Sequence, residues 1–389
     1  MFSNRTDWKL TRNRLTDTLE EVRASGATIL DLTLSNPTRA GLTYDESRIL
    51  QALASPQAMD YDPQPKGLPG ARAAIAAYYR GAHGIRDFDP ERLILTTSTS
   101  EGYSFVFRLL CNSGDELLVP KPSYPLFEFL ADLQDVKLVP YPLIYDHGWQ
   151  MDFPSLEQVV TAHTRGVVVV HPNNPTGSYV HAKEQEALAS FCRGHKIAII
   201  ADEVFLDYAL NGQPARSFAA NQDALTFTLS GVSKISALPQ MKVAWVAISG
   251  PAKEVEVAMA RLEVISDTYL SMNAPIQWAV PVLLEERNSI QKQLLDRVRG
   301  NLAELDRLIA TQTACQRLDV EGGWYAVLRV PVTRTDDELV VELLRLKSVL
   351  VHPGHFYDFP NDGFLVLSLI AQPAGFAEAS RRLLELVNR

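Results

Sequence analysis

One lysine, Lys234, stands among small residues between two apolar segments. Ser230, Gly231 and Ser233 precede it, the strand-like LTFTL lies before them, and VAWVAI begins at Val243. A lysine is almost never fully buried without a partner. Its position therefore indicates either a side chain that reaches the surface or an amine kept for chemistry. A desolvated lysine has a lowered pKa and can form a Schiff base with a carbonyl group.

Polar or turn-forming residues also follow four other apolar segments. LILT, ELLV, VVVV and IAII are followed by TSTSEG, PKPSYP, HPNNPTG and ADE, respectively. In parallel α/β sheets, ligands bind beyond the carboxyl ends of the strands. We therefore expect five strand ends, including the one before Lys234, to contribute to one shared site.

Each motif also has an ordinary structural interpretation. TSTSEG at 97–102 could cap a helix or seat a phosphate at a helix N-terminus, and the two uses are compatible. HPNNPTG could simply end a strand, or one of its asparagines could donate to a ligand oxygen. Asp202 could cap a helix or pair with a buried cationic nitrogen. Tyr124 could be a core residue or the flat face on which a ring stacks.

Together these groups describe one ligand. They offer a phosphate seat, a donor to an oxygen, a planar face, a carboxylate for a ring nitrogen and the amine of Lys234. Pyridoxal 5′-phosphate needs this set, because it is held by a Schiff base with a carboxylate near its pyridine nitrogen. The sequence therefore predicts this cofactor.

At this point the chain resembles the class I/II aminotransferases, which are fold-type I pyridoxal-phosphate enzymes. The shared motifs run in the same order along nearly the whole chain: YDPQPKGLPGAR at 61–72, TSTSEG, KPSYP, NNPTG, ADE, SGVSK, GGWYAV and VHPGHF. The ordered set is specific, whereas no single motif is. The resemblance implies an α/β fold, with a mostly parallel central sheet flanked by helices in a large domain, plus a smaller α+β domain.

The resemblance also implies a role for each matching residue. Lys234 would form the Schiff base and carry a proton between substrate and cofactor, and Asp202 would pair with the pyridine nitrogen. Asn174 would donate to the phenolic oxygen of the cofactor, and Tyr124 would stack on its ring. Tyr61 would reach the neighbouring subunit, which implies a homodimer with shared active sites. The other implied contacts are to the cofactor phosphate, from Thr99, Ser100, Ser233 and Lys242, and to the substrate carboxylate, near Asn36.

Three positions depart from the family pattern. Phe205 replaces the tyrosine of D-E-x-Y, and losing that phenol would raise the pKa of the Schiff base. Lys242 replaces an arginine and keeps its charge without the planar fork. Val366 replaces the arginine of an R-L-S motif that clamps the substrate carboxylate. Arg39 or Arg329 could substitute for that arginine, neutral donors could bind the carboxylate, or the substrate could be unusual.

The apolar segments predict the elements that position these residues. Continuous runs such as VVVV are typical of strands buried on both faces. The predicted strands are 93–96, 116–119, 136–139, 167–170, 197–200, 225–229 and 243–248, and the predicted helices are 101–111, 124–133, 183–195, 252–265, 276–311 with a break near Pro281, and 336–347. We expect an N-terminal arm with part of the small domain at 1–45, a large cofactor-binding domain at 46–280 and a small domain at 281–389.

Composition narrows the classes of partner and compartment. The net charge of −9 over 389 residues argues against nucleic acid as the main partner. The start, MFSNRTDWKL, has no apolar core of a signal peptide, and no run approaches the roughly 20 apolar residues of a membrane span. The three cysteines are far apart and odd in number, which predicts a reducing cytoplasm.

The predicted activity is transfer of an amino group between an amino acid and a 2-oxo acid by a ping-pong mechanism. A lyase or decarboxylase with the same cofactor is the alternative, because these motifs do not separate the reactions. A non-catalytic regulator of this fold would carry a fused DNA-binding domain, for which this N-terminus has no room. A Rossmann dehydrogenase is disfavoured, since no G-x-G-x-x-G follows any predicted strand.

Overall fold

The computed structural model describes residues 1–8, 12–125, 127–212, 216–270 and 272–388. The α-helices in these ranges are α1 Arg14–Ala24, α2 Glu46–Leu53, α3 Pro69–His83, α4 Thr99–Leu110, α5 Phe127–Asp132, α6 Phe153–Val159, α7 Ala182–His195, α8 Val232–Ile235, α9 Ala252–Thr268, α10 Ala274–Glu285, α11 Arg287–Ile309, α12 Asp336–Lys347 and α13 Pro373–Val387. Short 3₁₀ helices span Asn4–Thr6, Pro37–Arg39, Pro56–Met59, Pro90–Arg92, Phe218–Ala220, Pro239–Met241 and Gly354–Tyr357. None of the described helices is both long enough and apolar enough to cross a membrane.

Strands alternate with these helices through the middle of the chain. They are β1 Leu30–Asp31, β2 Leu93–Thr96, β3 Glu116–Lys121, β4 Lys137–Tyr145, β5 Trp149–Met151, β6 Thr164–Val170, β7 Ala198–Asp202, β8 Thr226–Gly231, β9 Ala244–Ser249, β10 Gln316–Arg317, β11 Tyr325–Arg329, β12 Val349–Leu350, β13 His352–Pro353 and β14 Phe364–Ser368.

Eight strands form the main sheet, in the order β2-β9-β8-β7-β6-β3-β4-β5. Neighbours from β8 to β4 pair in parallel, whereas β9 and β5 run against their neighbours. The prediction of a mostly parallel sheet is therefore confirmed. Its central strands are buried on both faces, since Val168 and Val170 pack into one core cluster while Val167 and Val169 pack into another.

The carboxyl ends of the parallel strands meet at one edge of the main sheet. There β6 ends at Val170, β7 at Asp202 and β8 at Gly231. Because β9 is antiparallel, its first residue, Ala244, lies opposite Gly231 at the same edge. A Cβ added at Gly231 would lie 2.7 Å from the carbonyl oxygen of Val243, so only glycine allows this close approach.

A second, four-stranded antiparallel sheet has the order β10-β11-β14-β13. The N-terminal strand β1 pairs with β12 in a separate two-stranded parallel ladder. The helices α1 and α12 pack together, and α13 packs on α11. The first 40 residues thus contribute to the core formed by the C-terminal elements, through residues such as Leu32 and Ala40.

Two predicted boundaries were wrong. Pro281 does not end a helix, because it lies inside α10. The interruption comes later, at the single residue Glu286, and α11 begins at Arg287. Most of α10 is buried in one core cluster, and this packing holds the helix together despite the hydrogen bond that proline removes. The strand predicted at 136–139 extends to Tyr145, because its outer half pairs with β5. The predicted helix at 124–133 includes position 126, which lies outside the described residues.

Candidate active site

A cavity of about 270 Å³ opens at the carboxyl edge of the main sheet. It is bounded by strand ends of the large sheet on one side and by elements of the small sheet on the other. The described residues that line it are Ser35, Thr99, Tyr124, Pro125, Val170, Asn174, Asp202, Val204, Phe205, Gly231, Ser233, Lys234, Ala244, Tyr325, His352, Phe356 and Tyr357. Residues from all five predicted strand ends therefore meet here, and the one that follows LILT, Thr99, is the first residue of α4.

Lys234 lies in α8, the short helix that follows β8 directly. Burial lowers the pKa of its ammonium from 10.5 to about 8, although the charge of Asp202 acts in the opposite direction. Its Nζ atom lies 4.9 Å from the ring centroid of Trp324 and 5.5 Å from that of Phe205. Tyr208 fixes the backbone, because its hydroxyl donates to the carbonyl oxygen of Lys234 at 2.5 Å.

Asp202 is the last residue of β7 and is buried. Its carboxylate accepts hydrogen bonds from the hydroxyl of Tyr103 at 3.0 Å and the backbone N–H of Val204 at 3.1 Å. Burial raises the pKa of Asp202 from 3.8 to about 6, and these two hydrogen bonds and Lys234 limit the rise. At neutral pH the group is therefore a buried, mostly ionised carboxylate facing the cavity.

The two asparagines of HPNNPTG have different surroundings. The amide of Asn173 donates to the carbonyl oxygen of Pro122 at 3.1 Å and to the hydroxyl of Thr176 at 2.9 Å, so it holds the loop. Asn174 lines the cavity, and its buried side-chain oxygen has no hydrogen-bond partner in the described part of the chain. A buried polar atom without a partner is uncommon in folded proteins, and this one lies on the cavity, where a bound molecule can reach the amide. The amide of Asn174 is thus the one available to a bound molecule.

The start of α4 shows that capping and ligand binding are compatible uses of TSTSEG. Ser98 caps the helix, since its hydroxyl accepts the backbone N–H of Glu101 at 3.1 Å, and the Glu101 carboxylate accepts the N–H of Thr97 at 2.6 Å. Thr99, the first residue of α4, remains directed to the cavity, as does Ser233. Two residues with hydroxyl groups, one of them at a helix N-terminus, therefore line the cavity.

Four predicted site residues do not line the cavity: Tyr61, Ser100, Lys242 and Asn36 are exposed on the single chain. Tyr61 is 80% exposed. The side chain of Asn36 accepts hydrogen bonds from Thr38 at the start of a 3₁₀ helix. Its neighbour Ser35 lines the cavity instead. The roles implied for these four residues stay predictions.

The side of the cavity formed by the small sheet is aromatic and uncharged. Tyr325, His352, Phe356 and Tyr357 lie there, and burial lowers the pKa of His352 from 6.5 to about 4 although Asp31 raises it. Among the described residues that line the cavity, Lys234 is the only lysine or arginine. Neither arginine proposed as a substitute clamp is there. The guanidinium of Arg329 lies instead over the rings of Tyr145 and Phe364, at 5.7 and 5.8 Å.

Sequence reasoning missed three residues of this site: Ser35, Tyr103 and Tyr208. Tyr103 could have been predicted from the sequence, because it follows Thr99 by four residues and therefore lies one helical turn further along the same face of α4. The contact of Tyr208 with the backbone of Lys234 depends on the tertiary fold and leaves no pattern in the sequence.

A larger cavity, of about 670 Å³, lies at the opposite edge of the main sheet. It is lined by residues at the starts of β6 and β7, including Arg165 and Ala198, and by the first turns of α9. None of the motif residues lines it. The described residues also contain no cluster of three or more side chains that could hold a metal ion.

The chain is similar to known proteins in both sequence and structure. The family described as aminotransferase class I and II matches residues 29–372. The chain is 28% identical to an alanine aminotransferase of Mycobacterium tuberculosis, over 95% of this chain and 90% of that protein. It is also 28% identical to the glutamate-pyruvate aminotransferase AlaA of Escherichia coli, over 90% and 88% of the two chains.

Solved structures give the same result. An aminotransferase from Escherichia coli superposes with a TM-score of 0.88 at 25% identity, covering 100% of this chain and 98% of that one. An alanine aminotransferase from Pyrococcus furiosus superposes with a TM-score of 0.91 and full coverage of both chains; at 21% identity this likeness concerns the fold. The family predicted from the ordered motifs and the predicted fold class are both confirmed.

Proposed function

The chain belongs to the class I and II aminotransferases and transfers an amino group between an amino acid and a 2-oxo acid, and we propose that it does so with pyridoxal 5′-phosphate held in the 270 Å³ cavity. The observation that carries this proposal is the chemistry of three side chains on one cavity. They are an amine with a lowered pKa on Lys234, a buried carboxylate on Asp202, and the side-chain amide of Asn174, whose oxygen has no hydrogen-bond partner among the described residues. When bound, the cofactor supplies a carbonyl carbon for the amine and an electron-withdrawing ring.

The residues of the large sheet fit this group in a definite orientation. Asp202, mostly ionised at neutral pH, can hold a proton on a ring nitrogen and offset the cost of its own buried charge. Asn174 can donate from its amide to the phenolic oxygen, and Tyr124 can cover one face of the ring. Thr99 and Ser233 stand at the end of the cavity where the N-terminus of α4 favours a phosphate.

Lys234 has the properties of a nucleophile and of a proton carrier. With a pKa of about 8, roughly a tenth of its amine is uncharged at pH 7, against less than a thousandth for an ordinary lysine. When it is free, the same nitrogen could hold and move a proton taken from the α-carbon of a substrate in the cavity. The rings of Trp324 and Phe205 restrict where the Nζ atom lies and exclude water from it.

We propose further that the active enzyme is a homodimer in a reducing compartment. Tyr61 and its neighbour Met59 are 80% and 89% exposed, an unusual state for large apolar side chains in one segment. A partner surface would cover them and bring Tyr61 into its implied role at the neighbouring subunit's phosphate. All three cysteines are free. Light scattering on the purified protein should give twice the 43.2 kDa of one chain.

The decisive experiment is the absorption spectrum of the purified protein before and after addition of single amino acids. Alanine and glutamate come first, because the relatives include an alanine aminotransferase and a glutamate-pyruvate aminotransferase. We expect a visible band of the lysine-bound cofactor that one amino acid converts to the amine form, and a 2-oxo acid restores. Lys234→Ala should abolish the band, whereas Lys253→Ala, a lysine at the other edge of the sheet, should leave it unchanged.

Two outcomes would contradict the proposal. Absence of the band after addition of the cofactor would show that Lys234 does not hold it. A band that persists while ammonia, pyruvate or carbon dioxide is released would show that the chain catalyses elimination or decarboxylation instead.

A further inference from the structure

The position of the family's missing arginine has a specific neighbour in this chain. Val366 lies in β14, only 1% exposed, and its backbone partners are Val327 in β11 and His352 in β13. Side chains directly opposite each other on paired strands lie on the same face, with Cβ atoms about 5 Å apart. His352 therefore stands on the same face as Val366, one strand further along.

That face is the one directed to the active site. Tyr325 pairs with Ser368, two residues beyond Val366, so both lie on this face, and Tyr325 lines the cavity. The hydroxyl of Ser368 donates to the carbonyl oxygen of Leu34, the residue before the cavity-lining Ser35. A side chain at His352 thus projects toward the region that an arginine at position 366 would reach, and His352 lines the cavity.

The imidazole of His352 is held in place by its neighbours, and one of its two ring nitrogens has no hydrogen-bond partner among the described residues. Its Nδ1 lies 3.1 Å from the hydroxyl of Tyr357, and its ring stacks on Phe356 with centroids 4.9 Å apart and planes 18° apart. Its Nε2 makes no hydrogen bond within the described part of the chain. When the Tyr357 hydroxyl donates to Nδ1, the proton of the neutral ring is on Nε2, which is then a donor.

We propose that His352, oriented by Tyr357, binds the carboxylate of the amino acid and of the 2-oxo acid in place of the family's arginine. This inference rests on the proposed function, since it assigns the substrate end of the same cavity. A neutral N–H donor binds a carboxylate through a charge-assisted hydrogen bond, which is stronger than a neutral one but lacks the second contact of a guanidinium. The site then recognises a carboxylate without placing a second permanent cation beside Lys234.

The test compares the best amino acid substrate with its amide, which lacks the negative charge. His352→Phe keeps the stacking on Phe356 and removes both ring nitrogens. We expect it to lower kcat/KM for the amino acid by about ten- to a hundred-fold, mainly through KM, and that for the amide by less than about three-fold. His352→Arg should restore the preference for the amino acid. Tyr357→Phe should lower the preference for the amino acid less than His352→Phe does, because it removes only the hydrogen bond that orients the His352 ring.

His355→Phe is the matched control. His355 lies three residues away in the same loop, but it faces Asp337 at 3.9 Å and does not line the cavity. We expect no change in either kcat/KM. Equal losses for amino acid and amide in His352→Phe, or no loss for either, would overturn the inference.

A binding measurement separates this inference from the proposed function. Propanoate carries the carboxylate without an amino group, and calorimetry on the protein as purified measures its dissociation constant. We expect at least a ten-fold increase in His352→Phe and none in His355→Phe. If no amino acid converts the visible band, the proposed function fails, whereas unchanged propanoate binding in His352→Phe refutes the role of His352 alone.

Discussion

Replacing Asp202 by asparagine should stabilise the cofactor-free protein at neutral pH while it weakens cofactor binding. The carboxylate is buried, and burial raises its pKa from 3.8 to about 6. A carboxylate whose pKa is higher in the folded than in the unfolded protein destabilises the fold wherever it is ionised. Asparagine has nearly the same shape: its oxygen can accept from the N–H of Val204 while its amide nitrogen donates to the Tyr103 hydroxyl, so it removes the charge with little change in packing.

The size and pH range of the effect follow from the two pKa values. The shift of about two units corresponds to roughly 3 kcal/mol. Below pH 3.8 the folded and unfolded proteins both bind the proton, so the effect is absent there; above about pH 6 both have lost it, and the effect is complete. At pH 5 the folded protein still holds most of the proton, and the stabilisation should be roughly half of its full size.

Urea unfolding of the cofactor-free protein, followed by circular dichroism, measures this difference. We expect Asp202→Asn to raise the free energy of unfolding by about 3 kcal/mol at pH 8 and by roughly half as much at pH 5. Asp207→Asn is the contrasting variant, because Asp207 is paired with His83 at 3.0 Å and should lose stability when neutralised. A destabilised Asp202→Asn at pH 8, or a difference that does not change with pH, would refute the reasoning.

Three other substitutions test the site. Tyr103→Phe removes a hydrogen bond that lowers the pKa of Asp202, so cofactor affinity should fall about ten-fold at pH 6 and less at pH 8, as measured by fluorescence titration. Asn174→Ala should weaken cofactor binding by about ten-fold without lowering the melting temperature, whereas Asn173→Ala should lower the melting temperature because its amide holds the loop. Phe205→Tyr adds a phenol beside the amine and should lower the pKa of the lysine–cofactor Schiff base by about one unit, seen in the pH dependence of the visible band.

The sequence predicted the residues whose positions depend only on topology. Lys234, Asp202, Asn174 and Thr99 each follow an apolar segment, and parallel strands with helical crossovers bring their carboxyl ends to one edge. Knowing the exact strand limits was unnecessary for this inference. These four residues therefore line one cavity even though the strand at 136–139 was predicted too short.

Residues whose role depends on strand register or tertiary packing could not be predicted in the same way. The pairing of His352 with Val366 exists only because β13 and β14 have one particular register, and a shift of one residue would turn His352 to the other face. Pro281 was misjudged for a related reason: local rules favour a break, but burial of α10 outweighs them. Tyr61 and Lys242 are exposed and do not line the cavity of this chain, and the role implied for Tyr61 depends on a partner subunit that one sequence does not place.

Opposing effects determine the charge state of the Lys234 amine, and their balance depends on what occupies the cavity. Burial favours the uncharged amine, while the charge of Asp202 favours the ammonium, and so do the faces of Trp324 and Phe205. Burial dominates, since the pKa falls to about 8. A cationic ring nitrogen paired with Asp202 would neutralise the one anion that stabilises the ammonium. A carboxylate engaged with a ring nitrogen would therefore also cease to oppose the uncharged amine, so a cationic ligand paired with Asp202 should make Lys234 more nucleophilic.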